Sequence, residues 1–321
     1  DENATGPHIS SGTLYIDDVR LYTPRCIPSR NTGGFADADY APVGAPDCVV
    51  NYKELKIMGQ DWAQFDYNVY PTPPASPNLV AWYQFENNAN DSSGNEIHGL
   101  EGGFPVYVAG QVSQAIELNG MTDFVDINSV NIVTGNMSIA LWMMPRNLPY
   151  ATDYRSIFHN DAWNAGSLHG HLRANTSLFN VDLHTGKSIT STTAAVSGQW
   201  YHVVVTVDFD NGETKIYVDG VLENTNTSGG AAMPYLGPLN IGAWQESSRF
   251  FDGLMDDFRI YDYVLDENEV VATRGLGTVY IPVTSPANIS DDEPAGQKKV
   301  NFLDYAELMD FWGMEQEWPS W

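Results

Sequence analysis

Positive charge is scarce in this 321-residue chain: 15 Lys and Arg stand against 41 Asp and Glu, a formal charge of −26. Such a surface repels phosphate backbones and anionic lipid, which argues against nucleic acid and membrane surfaces as partners. Cations, neutral sugars and basic protein surfaces remain open. Long apolar runs are missing as well: no stretch of about 18 residues is apolar enough to span a bilayer. The opening DENATGPHIS has neither the basic nor the apolar region of a signal peptide, so the sequence reads as a processed product or an excised piece. Cysteine is limited to Cys26 and Cys48. In an extracellular setting a disulfide between them would close a loop of about 20 residues and stabilise by about 3 kcal/mol; two buried thiols are the alternative. No Gly-x-Ser-x-Gly elbow, Gly-rich phosphate loop or His-Glu-x-x-His helix is present, so the sequence gives no ground for an enzyme.

What is present is repetition and strand pattern. Ile16-Asp-Asp-Val-Arg-Leu-Tyr22 recurs as Met255-Asp-Asp-Phe-Arg-Ile-Tyr261, each an acidic pair followed by alternating residues that read as a strand. Val50-Asn-Tyr-Lys-Glu54 recurs as Val300-Asn-Phe-Leu-Asp304, and both copies lead into helices. Leu55, Met58 and Trp62 share one helical face, as do Tyr305, Leu308 and Trp312. The stretch of residues 71–77 is proline-rich and stiff, and 275–297 forms a second linker. The implied organisation is a strand remnant (1–25), a helical segment (26–70), the first linker, a central domain (78–274), the second linker and a terminal helical segment (298–321).

The central domain reads as short strands and turns. Tyr201 to Phe209, Thr214 to Val218 and the residues after Asp219-Gly220 form a meander, with further strands at Leu79 to Phe85, Ala115 to Leu118, Phe124 to Ile127, Met137 to Met143 and Leu239 to Ile241. The expected class is all-β, a two-sheet antiparallel sandwich with short flanking helices.

Leu79 to Phe85, Asp91-Ser-Ser-Gly-Asn95 with His98-Gly99, Ile116 to Gly120 and Phe124 to Ile127 resemble the opening strands of laminin-G-like, concanavalin A-like jelly-roll modules of secreted bacterial proteins. Gly198 to Val203, Ile216 to Gly220 and Phe251 to Tyr261 resemble the closing ones. The resemblance implies an extracellular or cell-surface jelly roll with a bound Ca2+ and a role in carbohydrate binding or adhesion. Carried over to this chain, it makes Asp91, Asn95 and Asp256 the metal ligands, aided by carbonyls near His98. The same Asp91 loop also reads as an Asx-type turn held by ordinary hydrogen bonds. Hydrolases of this fold class carry E-x-D-x-x-E on one strand, and no Glu here has that spacing. Glu267 and Glu269 alternate, but they sit at what reads as a helix start. The flanking helices resemble dockerin-like segments. With Glu54 at loop position 12, Asn51 and Asp47 fit positions 9 and 5, while Val43 and Ala45 fill positions 1 and 3; with Asp304 at position 12, Glu293, Ala295 and Gln297 fill the early ones. Both loops therefore lack ligands, and the helices are expected to hold by packing.

Strand parity supplies a candidate glycan site. Over Ser167 to Ala174 and Leu178 to His184, His169, His171 and Arg173 share one face, and Asn180, Asp182 and His184 share a face of the next strand. If the strands pair, one sheet turns this patch outward, with Trp163 and Trp244 in neighbouring loops as a stacking platform. A solvated polar face and a zinc site built from the histidines are the other readings. Trp82, Trp142 and Trp200 sit in apolar strands and read as core. A second role is structural: the strand at Gly12 to Tyr22 could add to a sheet edge of another copy, or the terminal helices could dock between copies, to build a fibre or surface layer.

Overall fold

The computed structural model describes residues 26–27, 34–150, 154–228, 230, 232–290, 292–294 and 297–315. The repeat copy at Ile16 to Tyr22, and with it the whole strand remnant 1–25, lies outside the described residues. The chain divides into two compact units, residues 68–281 and a second unit built from the residues up to Tyr67 together with those from Pro282 onward.

The strands are β1 (Tyr67–Val69), β2 (Leu79–Tyr83), β3 (Leu100–Gly102), β4 (Val106–Ala109), β5 (Gln114–Asn119), β6 (Phe124–Ile127), β7 (Met137–Pro145), β8 (Arg155–Asn160) and β9 (Leu168–Leu172). They continue as β10 (Leu178–Leu183), β11 (Ile189–Ala194), β12 (Tyr201–Asp208), β13 (Glu213–Val218), β14 (Val221–Asn226), β15 (Leu239–Ile241), β16 (Asp252–Tyr261) and β17 (Val279–Ile281). One sheet runs β11-β10-β9-β8-β15-β6-β3. The other runs β14-β13-β12-β7-β16-β5-β4, and β2 also pairs with β16. Pairing within both sheets is antiparallel.

Alternation decides what lies between the sheets. On β7, Ile139, Leu141 and Met143 enter the shared core; on β12, Val203, Val205 and Val207 do; Leu239 and Ile241 of β15, and Leu168 and Leu172 of β9, meet them from the other layer. The residues of opposite parity on the eight-stranded sheet are also covered. Ala140, Val204, Tyr217 and Tyr261 pack with Leu265 and Val270 of the segment that forms helix α3 (Glu267–Thr273). That helix starts on a capping box made by Asp266 and Glu269, so Glu269 is spent on the helix terminus. Trp142 is buried on this outer side, its indole N–H donating to the Arg274 carbonyl, whereas Trp82 and Trp200 are half-buried.

In the second unit, α1 (Gly34–Ala38), α2 (Tyr52–Gln60) and α4 (Phe302–Asp310) share one core of Phe35, Val50, Met58, Ala287, Val300 and Leu308. The two helical segments that the sequence assigns separately thus pack as one body, and Ala287, within the stretch taken as a linker, is part of its core. The repeat is visible in hydrogen bonds: Asn51 with Glu54 and Asn301 with Asp304 form matching capping boxes. The buried face keeps Met58 and Leu308, which periodicity places there, and takes the capping acids Glu54 and Asp304 in place of Leu55 and Tyr305. Glu54, Met58, Asp304 and Leu308 are buried, while Leu55, Trp62, Tyr305 and Trp312 are exposed. The physical reason is that each carboxylate must reach backbone N–H groups beneath the helix start: Glu54 accepts from Ala41 and Asn51, and Asp304 from Ile289, Ser290 and Asn301.

Cys26 and Cys48 form a disulfide in this unit. Reduction, or Cys48→Ser, is expected to lower the stability of the helical unit by about 3 kcal/mol and to leave the sandwich transition in place. Calorimetry with and without reductant checks this.

Candidate glycan-binding face

The outward side of the seven-stranded sheet carries a polar row that runs in register across five strands. Asp126 on β6 faces Asn240 on β15, Asn240 faces His159 on β8, His159 faces His169 on β9, and His169 faces Asp182 on β10. A parallel row places Ser156, His171, Asn180 and Thr190 side by side. The parity reading therefore brings His169, His171, Asn180 and Asp182 onto one face. It leaves out His159, at the centre of the cluster, because no strand is read at residues 155–160, where a bulge between Ser156 and Phe158 breaks the two-residue period.

The face differs from the expectation of an open patch. His159, His169 and His171 are almost wholly buried, Arg173, Asp182 and His184 half-buried. Loops bearing Trp163 and Trp244 lie over the sheet, and such long-range covering leaves no mark on strand periodicity. The Trp163 ring packs on His169 at 4.4 Å and on His184 at 4.6 Å while staying 44% exposed. Trp244 is half-buried, close to His169 and His159, and carries the Arg249 guanidinium over its ring at 4.4 Å. His159 and His169 stack at 4.3 Å, and Tyr154 packs on His171 at 4.2 Å.

Several polar atoms under this cover find no protein partner: both ring nitrogens of His159, Nε2 of His169, Nδ1 of His171 and of His184, and Nε1 of Trp244. Leaving such groups without protein partners costs about 1–3 kcal/mol each, so a dense set of them calls for a reason that packing alone does not supply. Burial holds His159 well below its ordinary range and pushes His169 down to about 4, with the Arg249 charge acting in the same sense on both. His171 is likewise lowered, by burial, against the opposing pull of Asp182 at 3.5 Å. These are neutral imidazoles at neutral pH, each offering one donor and one acceptor. Among the described residues the histidines do not converge as a metal site: the group whose ligand atoms lie within 4.8 Å of one another is Asp39, Asp47 and Glu54 in the helical unit. Asp39 reaches that group from before the Ala41 to Pro46 loop, which contiguous loop counting skips, and the Lys53 ammonium already pairs with Asp47.

The residues implied as calcium ligands are placed as follows. The Asp91 carboxylate accepts from the backbone N–H groups of Trp82, Ser93 and Ile97 and from the Ser93 hydroxyl, an Asx-type turn. The Asn95 amide donates to the Leu79 and Val80 carbonyls. Asp256 is fully buried: one oxygen accepts from Val112 N–H, and the other has no protein partner. Burial pushes its carboxyl up to about 7, and the neighbouring Asp257 and Glu86 charges add to the rise.

His169, ordinarily near 6.5, is lowered in the fold. Between about 6.5 and about 4 the unfolded chain therefore binds protons that the folded chain does not, and stability falls as the pH drops through that window. The parent is expected to lose stability relative to His169→Gln from pH 6.5 to pH 4, and to hold a constant difference above pH 7, in urea midpoints measured across the series.

Residues 119–271 match the family model described as the concanavalin A-like lectin/glucanases superfamily. No curated protein sequence matches the chain. Similar solved structures include domain 4 of AbnA, a GH43 extracellular arabinanase from Geobacillus stearothermophilus in complex with arabinotriose, at 24% identity and a TM-score of 0.49 over 61% of this chain and 98% of that one. The receptor binding domain of the botulinum neurotoxin C/D mosaic serotype matches at 15% identity and a TM-score of 0.52, over 63% and 52%. The serotype D ligand binding domain in complex with N-acetylneuraminic acid matches at 16% and 0.51, over 62% and 51%. The chain thus spans about half the length of these toxin domains, and at such identities the likeness concerns the fold. The two-layered unit of residues 68–281 is an antiparallel jelly-roll sandwich of the concanavalin A-like class.

Proposed function

We infer that the sandwich is an extracellular carbohydrate-binding module that holds a glycan at the outer face of the seven-stranded sheet, beside Trp163 and Trp244, and performs no chemistry on it. The observation that carries this reading is the in-register row of the buried Asp126, Asn240, His159 and His169 with the half-buried Asp182, with ring nitrogens unmatched in the protein, beneath an exposed indole. A sugar presents C–H patches that stack on an aromatic ring and hydroxyls that both donate and accept, which suits an indole over neutral imidazoles and amides. The serotype D toxin domain was solved with N-acetylneuraminic acid, so a sugar ligand has a precedent in a structure that includes this fold. On a polysaccharide array at pH 7, the parent is expected to bind a subset of glycans, and Trp163→Ala to weaken that binding at least tenfold, about 1.4 kcal/mol. His171→Ala is expected to act in the same direction. A flat response across the array, or full binding by Trp163→Ala, sinks the reading.

Calcium is proposed as a structural tie of the same sandwich. The Asp256 oxygen without a partner, with Glu86 nearby, suits a hard cation; the four donors around Asp91 and the turn role of Asn95 suit one less well. Without a cation, a carboxyl raised from about 3.8 to about 7 makes the folded chain bind more protons than the unfolded one, so stability drops as the pH rises through that window. Calcium is expected to raise the melting temperature of EDTA-treated protein more at pH 8 than at pH 5.5. Asp256→Asn is expected to remove the calcium effect.

A further inference from the structure

The polar face of the seven-stranded sheet changes sign along β8. Beside the start of that strand stand cations. The Arg249 carbonyl accepts from the Ser156 N–H, and the Arg249 guanidinium lies over the Trp244 ring at 4.4 Å and the Tyr154 ring at 5.4 Å. Arg173 directly follows β9, where its N–H still pairs with the Leu178 carbonyl, so it continues the outward series of His169 and His171. Beyond the end of β8 stand acids. Asp161 follows the strand, Asp126 faces Asn240, and the Glu246 N–H donates to the Asn240 side chain. Burial raises the Asp161 carboxyl, and the Asp126 and Glu246 charges add to the rise. The six residues of β8 separate the two groups by roughly 20 Å, about twice the screening length at physiological salt, so each end keeps its own sign.

The cations at the start of β8 are not held as others in the sandwich are. Arg146 is committed to Glu117 and Asp252, and Arg259 to Asp257. The half-buried side chain of Arg173 has no carboxylate partner among the described residues. Burial lowers His171 most, Asp182 opposes it, and the Arg249 and Arg173 charges add to the lowering. Two guanidinium charges and one carboxylate thus act around a single imidazole.

This arrangement narrows the class of glycan. A neutral sugar leaves the Arg173 charge without a partner, and an amino sugar is repelled at this end. A sugar carboxylate offers two coplanar acceptors that fit the guanidinium fork. The net charge of −26 keeps acids away from most of the surface, so a cationic end also selects where an acidic sugar comes to rest. From His169, under Trp163, to Arg173 the strand advances four residues, about 13 Å, which is longer than one sugar ring. The stacked ring and the carboxylate therefore belong to different units of a chain. We propose that the glycan held beside Trp163 is acidic, an oligosaccharide whose carboxylate pairs with Arg173 and Arg249; this rests on the Trp163 reading.

The test is calorimetric titration of the full chain at pH 7 with matched pairs. Trigalacturonic acid is set against its methyl ester, and 3′-sialyllactose against lactose, which separates a uronate source from a sialate one. At least one acid is expected to bind tenfold or more tighter than its uncharged counterpart, and to lose that advantage as salt is raised. Arg173→Gln and Arg249→Gln are each expected to bring the ratio below about threefold, and Arg173→Lys to leave it in between, because the charge stays while the fork is lost. Arg173 is partly exposed, and Arg173→Gln is expected to melt with its parent, so a lost preference reports recognition rather than folding. If glycans bind and Trp163→Ala weakens them, yet neither acid exceeds its counterpart or both glutamine variants keep the preference, the inference is overturned and the Trp163 reading stands. A flat response across the polysaccharide array overturns both.

Discussion

The sandwich depends on the pairing of β16. This ten-residue strand lies between β7 on one side and β5 together with β2 on the other, so it joins the end of the domain to its beginning. Loop closure over such sequence distances costs chain entropy before any contact compensates for it, and the compensation comes from burial of Met255, Phe258 and Ile260 in the common core. Those three are not evenly spaced. A register shift between Asp256 and Arg259, with Asp257 at a φ of 53°, inserts the extra residue that lets both Met255 and Phe258 face inward. The acidic pair is thus the bulge itself: Asp256 is buried toward Val112, and Asp257 is engaged by Arg259 and the Trp82 indole.

With β16 in place, each sheet has a second face to cover, and the two faces are covered differently. The eight-stranded sheet is closed under α3 mainly by apolar packing of Tyr217, Tyr261 and Val270, with the buried imidazole of His202 set against Trp142. The seven-stranded sheet is covered by rings over polar groups, leaving unmatched nitrogens. That contrast within one domain is why the functional reading attaches to the histidine face. Packing alone can explain a buried apolar layer; it does not explain a buried layer of imidazoles held neutral by desolvation.

Much of this is legible in the amino-acid sequence. The meander at 201–226, the strand at β7, the paired segments of β9 and β10 and the helix start at Asp266 all follow from two-residue alternation, Asn-Gly and Asp-Gly turns and capping residues, which act over a few residues at a time. The same local rules place His169 and His171 on one face with Asn180 and Asp182 opposite them. They assign no strand to residues 155–160, where the β8 bulge interrupts alternation, and so leave His159 out.

The sequence by itself determined the layer architecture, the polar faces of β9 and β10 and the recurrence of the two helices, because each is set by the period of the backbone or by a short repeated motif. Only the tertiary structure decided that the histidine face is roofed over, that Asp39 joins Asp47 and Glu54, that Asp91 is held by its own turn while Asp256 keeps an oxygen without a partner, and that Arg249 joins the histidine face. Each of these depends on which distant loop comes to rest against a given side chain, and therefore on desolvation, a property of the folded surroundings that no local pattern encodes.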